Sequence, residues 1–184
     1  MEIVNLEVNN LISNITLHKG PKMGNGFIRK LLDDIDWDEQ IKSRKTASFG
    51  IPYNYSGIFY EHSSMPFLFQ ALIDFVKKKI HFTPNSCLLN FYLNSQAKMG
   101  FHSDNIEVLD SDSGIAIFSF GEMRTLTFEL KNDRSIKYDV CLKNESFFYM
   151  TQEVQRDWVH AVLPYKSDTS SERISITFRK LKKT

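Results

Sequence analysis

The chain has 184 residues, 42% of them hydrophobic and 13% aromatic, and its formal net charge at pH 7 is +1. This composition excludes an intrinsically disordered chain, and the length predicts a single domain, residues 1–184, with a sizeable core. The near-zero net charge excludes a general electrostatic attraction to nucleic acid, although it is compatible with a local basic patch.

Cellular context can also be predicted from the sequence. No apolar run is long enough to cross a bilayer, and the first ten residues lack the basic and then apolar pattern of a signal peptide. Cys87 and Cys141 lie in apolar runs, which predicts small buried thiols in a reducing compartment rather than a disulfide framework. We therefore expect a cytoplasmic monomer with no membrane partner, or a nuclear one if the source is eukaryotic.

The first third of the chain is predicted to contain short strands and a helix. Weak alternation in EIVNLEV and LISNITL favours strands within the first twenty residues. The glycines of KGPKMGNG, residues 19–26, are expected to break the chain. The segment FIRKLLDDIDW then predicts a helix, because its apolar residues share one helical face: Phe27, Leu31, Leu32 and Ile35.

A second helix is predicted around Pro66, which suits a first helical turn, with Ser63 or Ser64 as its cap. The lysines at 77–79 fall in its last turn, where cations complement the helix dipole. Its apolar face is formed by residues at helical spacing: Phe67, Leu68, Ala71, Leu72, Phe75, Val76 and Ile80.

From residue 86 onward the hydrophobic period changes from helical to two. Six short segments rich in β-branched and aromatic residues predict strands, and Gly, Asn, Asp and Ser separate them. Helices followed by consecutive strands without helical crossovers predict an α+β protein whose strands pair antiparallel, as a sandwich, barrel or jelly roll. The six segments are CLLNFYL, GIAIFSF, RTLTFEL, IKYDVCL, ESFFYM and RISITFR.

Two of these strands carry polar residues on one face. In LLNFYLN, Asn90 and Tyr92 share a face, and in RISITFR the polar face is formed by Arg173, Ser175, Thr177 and Arg179. One interpretation is an ordinary amphipathic strand with its arginines in water. However, most strands here are apolar on both faces, which predicts a sheet covered on both sides. Buried arginines then need an anion, and a dicarboxylate suits two guanidinium groups.

The stretch KMGFHSDN contains a candidate half of a metal site. His102 and Asp104 share a face if the segment is extended, and His160 in RDWVHAVLPY lies in apolar surroundings as a candidate third ligand. Two histidines and one carboxylate form a facial triad that leaves positions open on Fe(II), and a zinc hydrolase can use the same ligands. Alone, the histidine and aspartate also fit a polar loop between two strands.

Together these motifs resemble the AlkB-like family of Fe(II)- and 2-oxoglutarate-dependent dioxygenases. The resemblance rests on NFY, HSD, WVHAV and RISITFR, on RKTASFG and YNYSG, and on FSFGEMRTLTF, in this order along the chain. It covers the chain from about residue 44 to the C-terminus. It implies an α+β fold with a double-stranded β-helix (jelly-roll) core in residues 86–184, N-terminal helices packed on one sheet, and residues 1–85 as an extension with the nucleotide-recognition region.

The resemblance also implies an oxidoreductase with Fe(II) and 2-oxoglutarate as cofactors and O2 as co-substrate. His102, Asp104 and His160 would hold the iron. Arg173 would pair with the distal carboxylate of 2-oxoglutarate, helped by the Tyr92 hydroxyl. Other groups would contact the co-substrate from the same strand faces: Asn90 and Arg179 near the metal, with Thr177 between the two arginines and Ser175 replacing an asparagine that is frequent in the family.

Family members act mainly on methylated bases in DNA or RNA, which must leave the base stack to reach a buried iron. The resemblance therefore implies oxidative demethylation of N-alkylated bases. Alternatives are hydroxylation of a small molecule or protein side chain, and a non-enzymatic binding module. Substrate contacts are implied for Tyr55 as a stacking ring, for Tyr53 and Ser56 beside it, for Arg44 with Lys42 and Lys45 at phosphate, and for Asn105 after the metal motif.

Overall fold

The computed structural model describes residues 2–24, 26–53, 58–166 and 172–182, with side chains from residue 6 onward. Within these ranges the helices are α1 (Glu2–Ser13), α2 (Phe27–Asp34), α3 (Gln70–Ile80) and α4 (Gln152–Asp157), and a 3-10 turn spans Phe67–Phe69. The strands are β1 (Ile15–Lys19), β2 (Lys45–Gly50), β3 (Ser86–Tyr92), β4 (Met99–His102), β5 (Ile115–Gly121), β6 (Arg124–Leu130), β7 (Lys137–Leu142), β8 (Ser146–Met150), β9 (Trp158–Val162) and β10 (Arg173–Arg179).

The strands form two antiparallel sheets with the orders β1-β8-β5-β10-β3-β2 and β4-β9-β6-β7. Strands β3 to β10 contribute four strands to each sheet, which is the double-stranded β-helix of a jelly roll. Side chains from both sheets meet in one apolar cluster, including Ile117 and Phe148 from the larger sheet and Leu126 and Trp158 from the smaller. The predicted α+β jelly-roll fold is confirmed.

Helices α2 and α3 cover the outer face of the six-stranded sheet. Phe27 and Leu31 from α2, and Leu72 and Val76 from α3, share a second apolar cluster with the outward-facing residues of the sheet. Full burial of each such side chain stabilises the fold by about 1.5–3 kcal/mol. All seven residues of β10 are consequently buried, three against the helices and four toward the smaller sheet. The prediction that both sides of this sheet are covered is confirmed.

The N-terminus differs from its prediction. Residues 2–13 form α1 rather than strands, and only the second segment, at Ile15–Lys19, is a strand. Leu11 is fully buried and Val8 and Ile15 pack against the same cluster. Val8 and Leu11 are three residues apart and share one face of α1, a helical spacing that outweighs the weak alternation, whereas Ile15 lies in β1.

Helix α3 begins later than predicted. It starts at Gln70 after a 3-10 turn, and neither serine caps it; the Ser63 hydroxyl instead donates to the carbonyl of Ser48. Phe67, expected on the apolar face, is 88% exposed because it lies in that turn and outside the helical register. The lysines at 77–79 do occupy the last turn, which closes with His81 in the left-handed conformation.

The two cysteines differ in their exposure to solvent. Cys87 is buried as predicted, but Cys141 is exposed, because β7 is an edge strand of the smaller sheet and its alternate residues face outward.

Among the described residues, no helix combines the length and apolar character needed to span a membrane.

Candidate metal centre

Strands β4 and β9 bring the two candidate histidines face to face. Their antiparallel register pairs His102 with His160, and the ring centroids lie 4.3 Å apart. Asp104 follows β4 after one residue, and one potential ligand atom from each of the three side chains lies within 4.8 Å of the others. The structure therefore brings together the three residues that sequence analysis singled out as metal ligands.

Backbone contacts hold the Asp104 loop in place from two sides. The N–H of Asp104 donates to Oε1 of Gln155, on α4, over 2.8 Å. The next N–H, that of Asn105, donates to the hydroxyl oxygen of Tyr53 over 2.8 Å. Gln155 and Tyr53 are themselves 3% exposed, so neither exchanges these bonds readily with water. The loop that presents the carboxylate is thus fixed by distant parts of the chain.

An internal ion pair keeps the carboxylate charged. Nη2 of Arg179 lies 2.7 Å from Oδ1 of Asp104, and both side chains are buried. Burial alone would raise the pKa of the Asp104 carboxyl, but the positive charge and the hydrogen bond of Arg179 outweigh it, so this pKa lies below its usual range. Asp104 is therefore ionised at neutral pH and can act as a metal ligand.

The two histidines are neutral at the same pH. Burial lowers the pKa of His160 to about 3, and burial also lowers that of His102. Nδ1 of His102 lies 2.9 Å from the carbonyl oxygen of Gly100 and must donate to it, which leaves the lone pair on Nε2. Two neutral imidazoles and one carboxylate fit Fe(II), whose ligands must be deprotonated.

A cavity between the sheets runs from this cluster to Arg173. The guanidinium of Arg173 is 1% exposed, its Nε donates to the Ser119 hydroxyl over 2.8 Å, and its Cζ lies 5.0 Å from the centre of the Tyr92 ring. Its Nη1 is buried and has no hydrogen-bond partner among the described residues. The cavity wall comprises Leu88, Asn90, Tyr92, Met99, His102, Asp104, Ile117, Leu126, Leu142, His160, Val162, Arg173, Ser175, Thr177 and Arg179.

The two arginines of β10 thus differ in their interaction partners. The sequence predicts an anion for both and contains no acidic strand face to match them. Arg179 does have an acidic partner, Asp104, which lies in a loop rather than on a strand. Arg173 has no acidic partner among the described residues, and its buried Nη1 has no hydrogen-bond partner there, so its charge is left for an exogenous carboxylate. Nε and Nη1 of Arg179 are also buried without a hydrogen-bond partner there, so Arg179 keeps donors beside its ion pair.

The predicted substrate residues lie in three kinds of place. Tyr53 is buried beneath the guanidinium of Arg179, whose Cζ is 4.1 Å from its ring centre, whereas Asn105 is exposed beside the metal motif. Arg44 is 8% exposed and its Nε donates to Oδ1 of Asn90, so it is not a solvated surface residue. Tyr55 and Ser56 lie outside the described residues.

Sequence analysis missed Gln155 and also Arg124. Arg124, 3% exposed, donates to the carbonyls of Ala97 and Leu163, each over 2.8 Å, and lies 5.4 Å from the Tyr92 ring centre. It joins the connections that precede β4 and follow β9. The one available signal was an arginine at the first position of an apolar strand, RTLTFEL.

Comparisons with known proteins identify the family. A model described as the 2OG-Fe(II) oxygenase superfamily matches residues 28–179. The chain belongs to this superfamily. It is similar to alpha-ketoglutarate-dependent dioxygenase alkB homolog 3 of Rattus norvegicus, 27% identical over 91% of this chain and 64% of that protein. It is also similar to the DNA oxidative demethylase ALKBH2 of Bos taurus, 29% identical over 75% of this chain and 53% of that protein.

A solved structure titled "The structure of OsALKBH1" has the same fold. It superposes with a TM-score of 0.60 at 18% identity, over 97% of this chain and 90% of the other. The protein is therefore an AlkB-like oxygenase, an oxidoreductase of the dioxygenase type whose cofactors are Fe(II) and 2-oxoglutarate. The chain spans about two thirds and about half of the two relatives, so their substrates do not transfer with the family.

Proposed function

We propose that this single-domain protein demethylates N-alkylated bases in DNA or RNA oxidatively, with formaldehyde, succinate and CO2 as products. The observation that carries the proposal is the cavity itself. One end has two neutral histidines and an ionised aspartate, and the other has a buried arginine with unused donors. A divalent metal suits the first end and a carboxylate suits the second.

The residues of the cavity have separable tasks in this proposal. His102, Asp104 and His160 hold the metal on one side, and Arg179 keeps Asp104 ionised and oriented. Arg173 binds the distal carboxylate of 2-oxoglutarate. Donors beside the metal, on Asn90 and Arg179, meet its other end, and Thr177 and Tyr92 line the path between.

When bound, Fe(II) and 2-oxoglutarate would allow O2 to oxidise a C–H bond to C–OH. In the same reaction, 2-oxoglutarate would be converted to succinate and CO2. If that carbon is an N-methyl group, the N–CH2OH product loses formaldehyde and regenerates the N–H of the base. The apolar lining, Leu88, Leu126 and Val162 among it, excludes water from this reaction.

Three observations support a nucleic-acid substrate. The two relatives are both AlkB homologues, and the name of one specifies DNA. Tyr53 anchors the start of the segment in which Tyr55 and Ser56 are proposed to contact the base. Lys42 is exposed two residues before Arg44 and is available to phosphate. Asn105, exposed directly after the metal motif, is the proposed determinant of base choice.

The test is turnover on a panel of DNA and RNA oligonucleotides that contain 1-methyladenine or 3-methylcytosine, with Fe(II), 2-oxoglutarate and ascorbate. We expect formaldehyde and unmethylated base in equal amounts, and loss of 2-oxoglutarate turnover in His102→Ala. Succinate without demethylation of any oligonucleotide would reject the nucleic-acid substrate and favour a hydroxylase of a small molecule or protein side chain.

The proposal extends to the state of the protein in the cell. We propose a monomer, located in the cytoplasm or, in a eukaryote, the nucleus. Light scattering coupled to size-exclusion chromatography measures the mass of the protein in solution, and a dimer would contradict the proposed monomer. Imaging of the tagged protein in its own host checks the second.

A further inference from the structure

The side chain of Asn90, in the wall of the cavity, is held by a single neighbour. Arg44 lies two residues before Thr46, which pairs with Asn90 in the register of β2 and β3, so Arg44 is on the same face of the sheet. Its Nε donates to Oδ1 of Asn90 over 2.7 Å, and both side chains are buried. Within the described part of the chain, this is the one hydrogen bond of the Asn90 amide.

The chemistry of the two groups fixes which way the amide faces. An asparagine amide has an acceptor end and a donor end, whereas a guanidinium group only donates. The reverse orientation would set donor against donor in a buried place, which is unfavourable. Nδ2 of Asn90 therefore points away from Arg44, and its two N–H groups are left for whatever enters the cavity that Asn90 lines.

We propose that Arg44 is a positioning residue for the co-substrate: by holding Oδ1 of Asn90, it presents the N–H groups of that amide to the carboxylate of 2-oxoglutarate nearest the metal. The inference rests on the proposed function, because Asn90 meets a carboxylate only if the cavity binds one. It assigns Arg44 to the interior of the site, where sequence analysis had implied a phosphate contact.

The position of Arg44 relative to the metal ligands agrees with this role. Burial is the main cause of the lowered pKa of His102, and the positive charges of Arg179 and Arg44 contribute to it. In the strand register Arg44 lies beyond Thr46 toward the level of Tyr92 and Arg173, and its charge also reaches His102, so it lies between the two ends of the cavity. A positive charge here also attracts the anionic end of a 2-oxo acid.

Lys42 offers a matched control for charge. It lies on the same segment, two residues before Arg44, but its side chain is exposed. Lys42→Met and Arg44→Met each remove one positive charge, and only the second frees the Asn90 amide. Asn90→Asp is the complementary variant: a carboxylate still accepts from Arg44 but has no N–H to offer to the co-substrate.

The experiment measures the affinity of 2-oxoglutarate for the Mn(II)-loaded protein by calorimetry, with oxalate as a second ligand that has only the metal-binding end. We expect Arg44→Met to weaken both ligands about tenfold, Asn90→Asp to weaken both at least as much, and Lys42→Met to leave both unchanged. The losses in the Arg44→Met, Asn90→Asp double variant should not add, because both act on one contact. Arg44→Lys, which keeps the charge and a donor, should fold even if Arg44→Met does not and should show a smaller loss.

Affinity for a methylated oligonucleotide separates the two possible roles of Arg44. If Arg44→Met, or Arg44→Lys should Met not fold, leaves both ligands within twofold of wild type and instead lowers oligonucleotide affinity and its salt dependence, Arg44 is a phosphate contact and the inference is wrong. If the wild-type protein binds Mn(II) but no 2-oxoglutarate, the proposed function fails together with the inference. Binding by the wild type and by all variants alike would overturn the inference alone.

Discussion

The two ends of the cavity differ in whether their buried charges are paired within the protein. At the metal end, the charge of Asp104 is balanced by Arg179 over 2.7 Å, and both histidines are neutral. At the far end, Arg173 is buried beside Tyr92 with a hydroxyl as its hydrogen-bonding partner, and the buried Arg124 adds a second positive charge on the same ring. The charge at the first end is thus paired within the protein, whereas the second end has no acidic partner among the described residues.

This difference indicates what each end contributes to binding. A balanced ion pair keeps metal ligands oriented and deprotonated before the metal arrives, which is preorganisation of the ligands. An unbalanced buried cation is costly in the free protein, and the cost is relieved when a carboxylate pairs with it. The metal end is therefore expected to tolerate the absence of its ligand better than the far end does.

The largest effect is expected when the balanced pair is broken. Asp104→Leu removes a proposed metal ligand and leaves Arg179 as an uncompensated buried charge, so metal binding and turnover should be lost and the free energy of unfolding should fall by about 3 kcal/mol. Urea denaturation and equilibrium dialysis measure the two effects. The control is the double variant Asp104→Leu, Arg179→Met, which should recover most of the stability and none of the metal binding. If the double variant is as unstable as the single one, the ion pair is not balanced as described.

Acid should destabilise the metal-free protein over a window set by His160. Burial lowers the pKa of this residue from 6.5 to about 3, so between these pH values the unfolded chain binds a proton that the folded chain does not. The free energy of unfolding should therefore fall as the pH falls from about 6.5 toward 3, by at most roughly 5 kcal/mol. Urea titrations across this range in His160→Gln should show a shallower slope than wild type. Equal slopes would contradict a neutral, buried His160.

A smaller and opposite effect is expected at the far end. Arg173→Met removes the proposed donor for the distal carboxylate, so the Kd of 2-oxoglutarate should rise by roughly 100-fold while the affinity for the metal stays unchanged. Without co-substrate the same variant should be more stable than wild type by about 1 kcal/mol, because an imperfectly paired buried charge is gone. Arg134→Met, at an exposed arginine, is the control and should change neither quantity. A destabilised Arg173→Met would show that this end is also balanced by the protein.

The balanced pair was also the part of the site that sequence patterns described least well. Strand periodicity correctly placed Arg173 and Arg179 on one buried face, and it predicted an anion for that face. It gave no partner for Arg179, because Asp104 lies in a loop, where no period relates it to β10. A contact between residues 75 positions apart depends on how the sheets pack, which local patterns do not encode.

The strands that carry His102 and His160, β4 and β9, were also not predicted from local sequence patterns. Six of the eight strands after residue 85 were predicted, and the two missed were β4 and β9. Strand β4 has four residues, one of them glycine, and lies at a sheet edge, so no apolar alternation is present. Strand β9 is buried at all five positions and therefore has no alternation either. The residues themselves, His102, Asp104 and His160, were found by their chemistry and by the family resemblance.

The N-terminal helix α1 was not predicted, although the sequence contains a pattern that indicates it. The helical spacing of Val8 and Leu11 is present in the sequence, but the weak alternation of the same segment favours strands. Gln155 is different, since a glutamine on a short helix has no local mark of the bond it makes to Asp104, 51 positions away. Long-range hydrogen bonds of buried neutral side chains become visible only once the fold is known.

The pairing of His102 with His160 across two strands has a mechanical consequence. Strand β4 is a short edge strand whose register is interrupted between Met99 and His102, so few backbone bonds attach it to β9. A metal held by both histidines would act as a removable crosslink between these strands and would restrict the unfolded chain as a disulfide does. A chelator would then do more than stop turnover, because it would release an edge strand to fray and expose its amides to exchange with solvent.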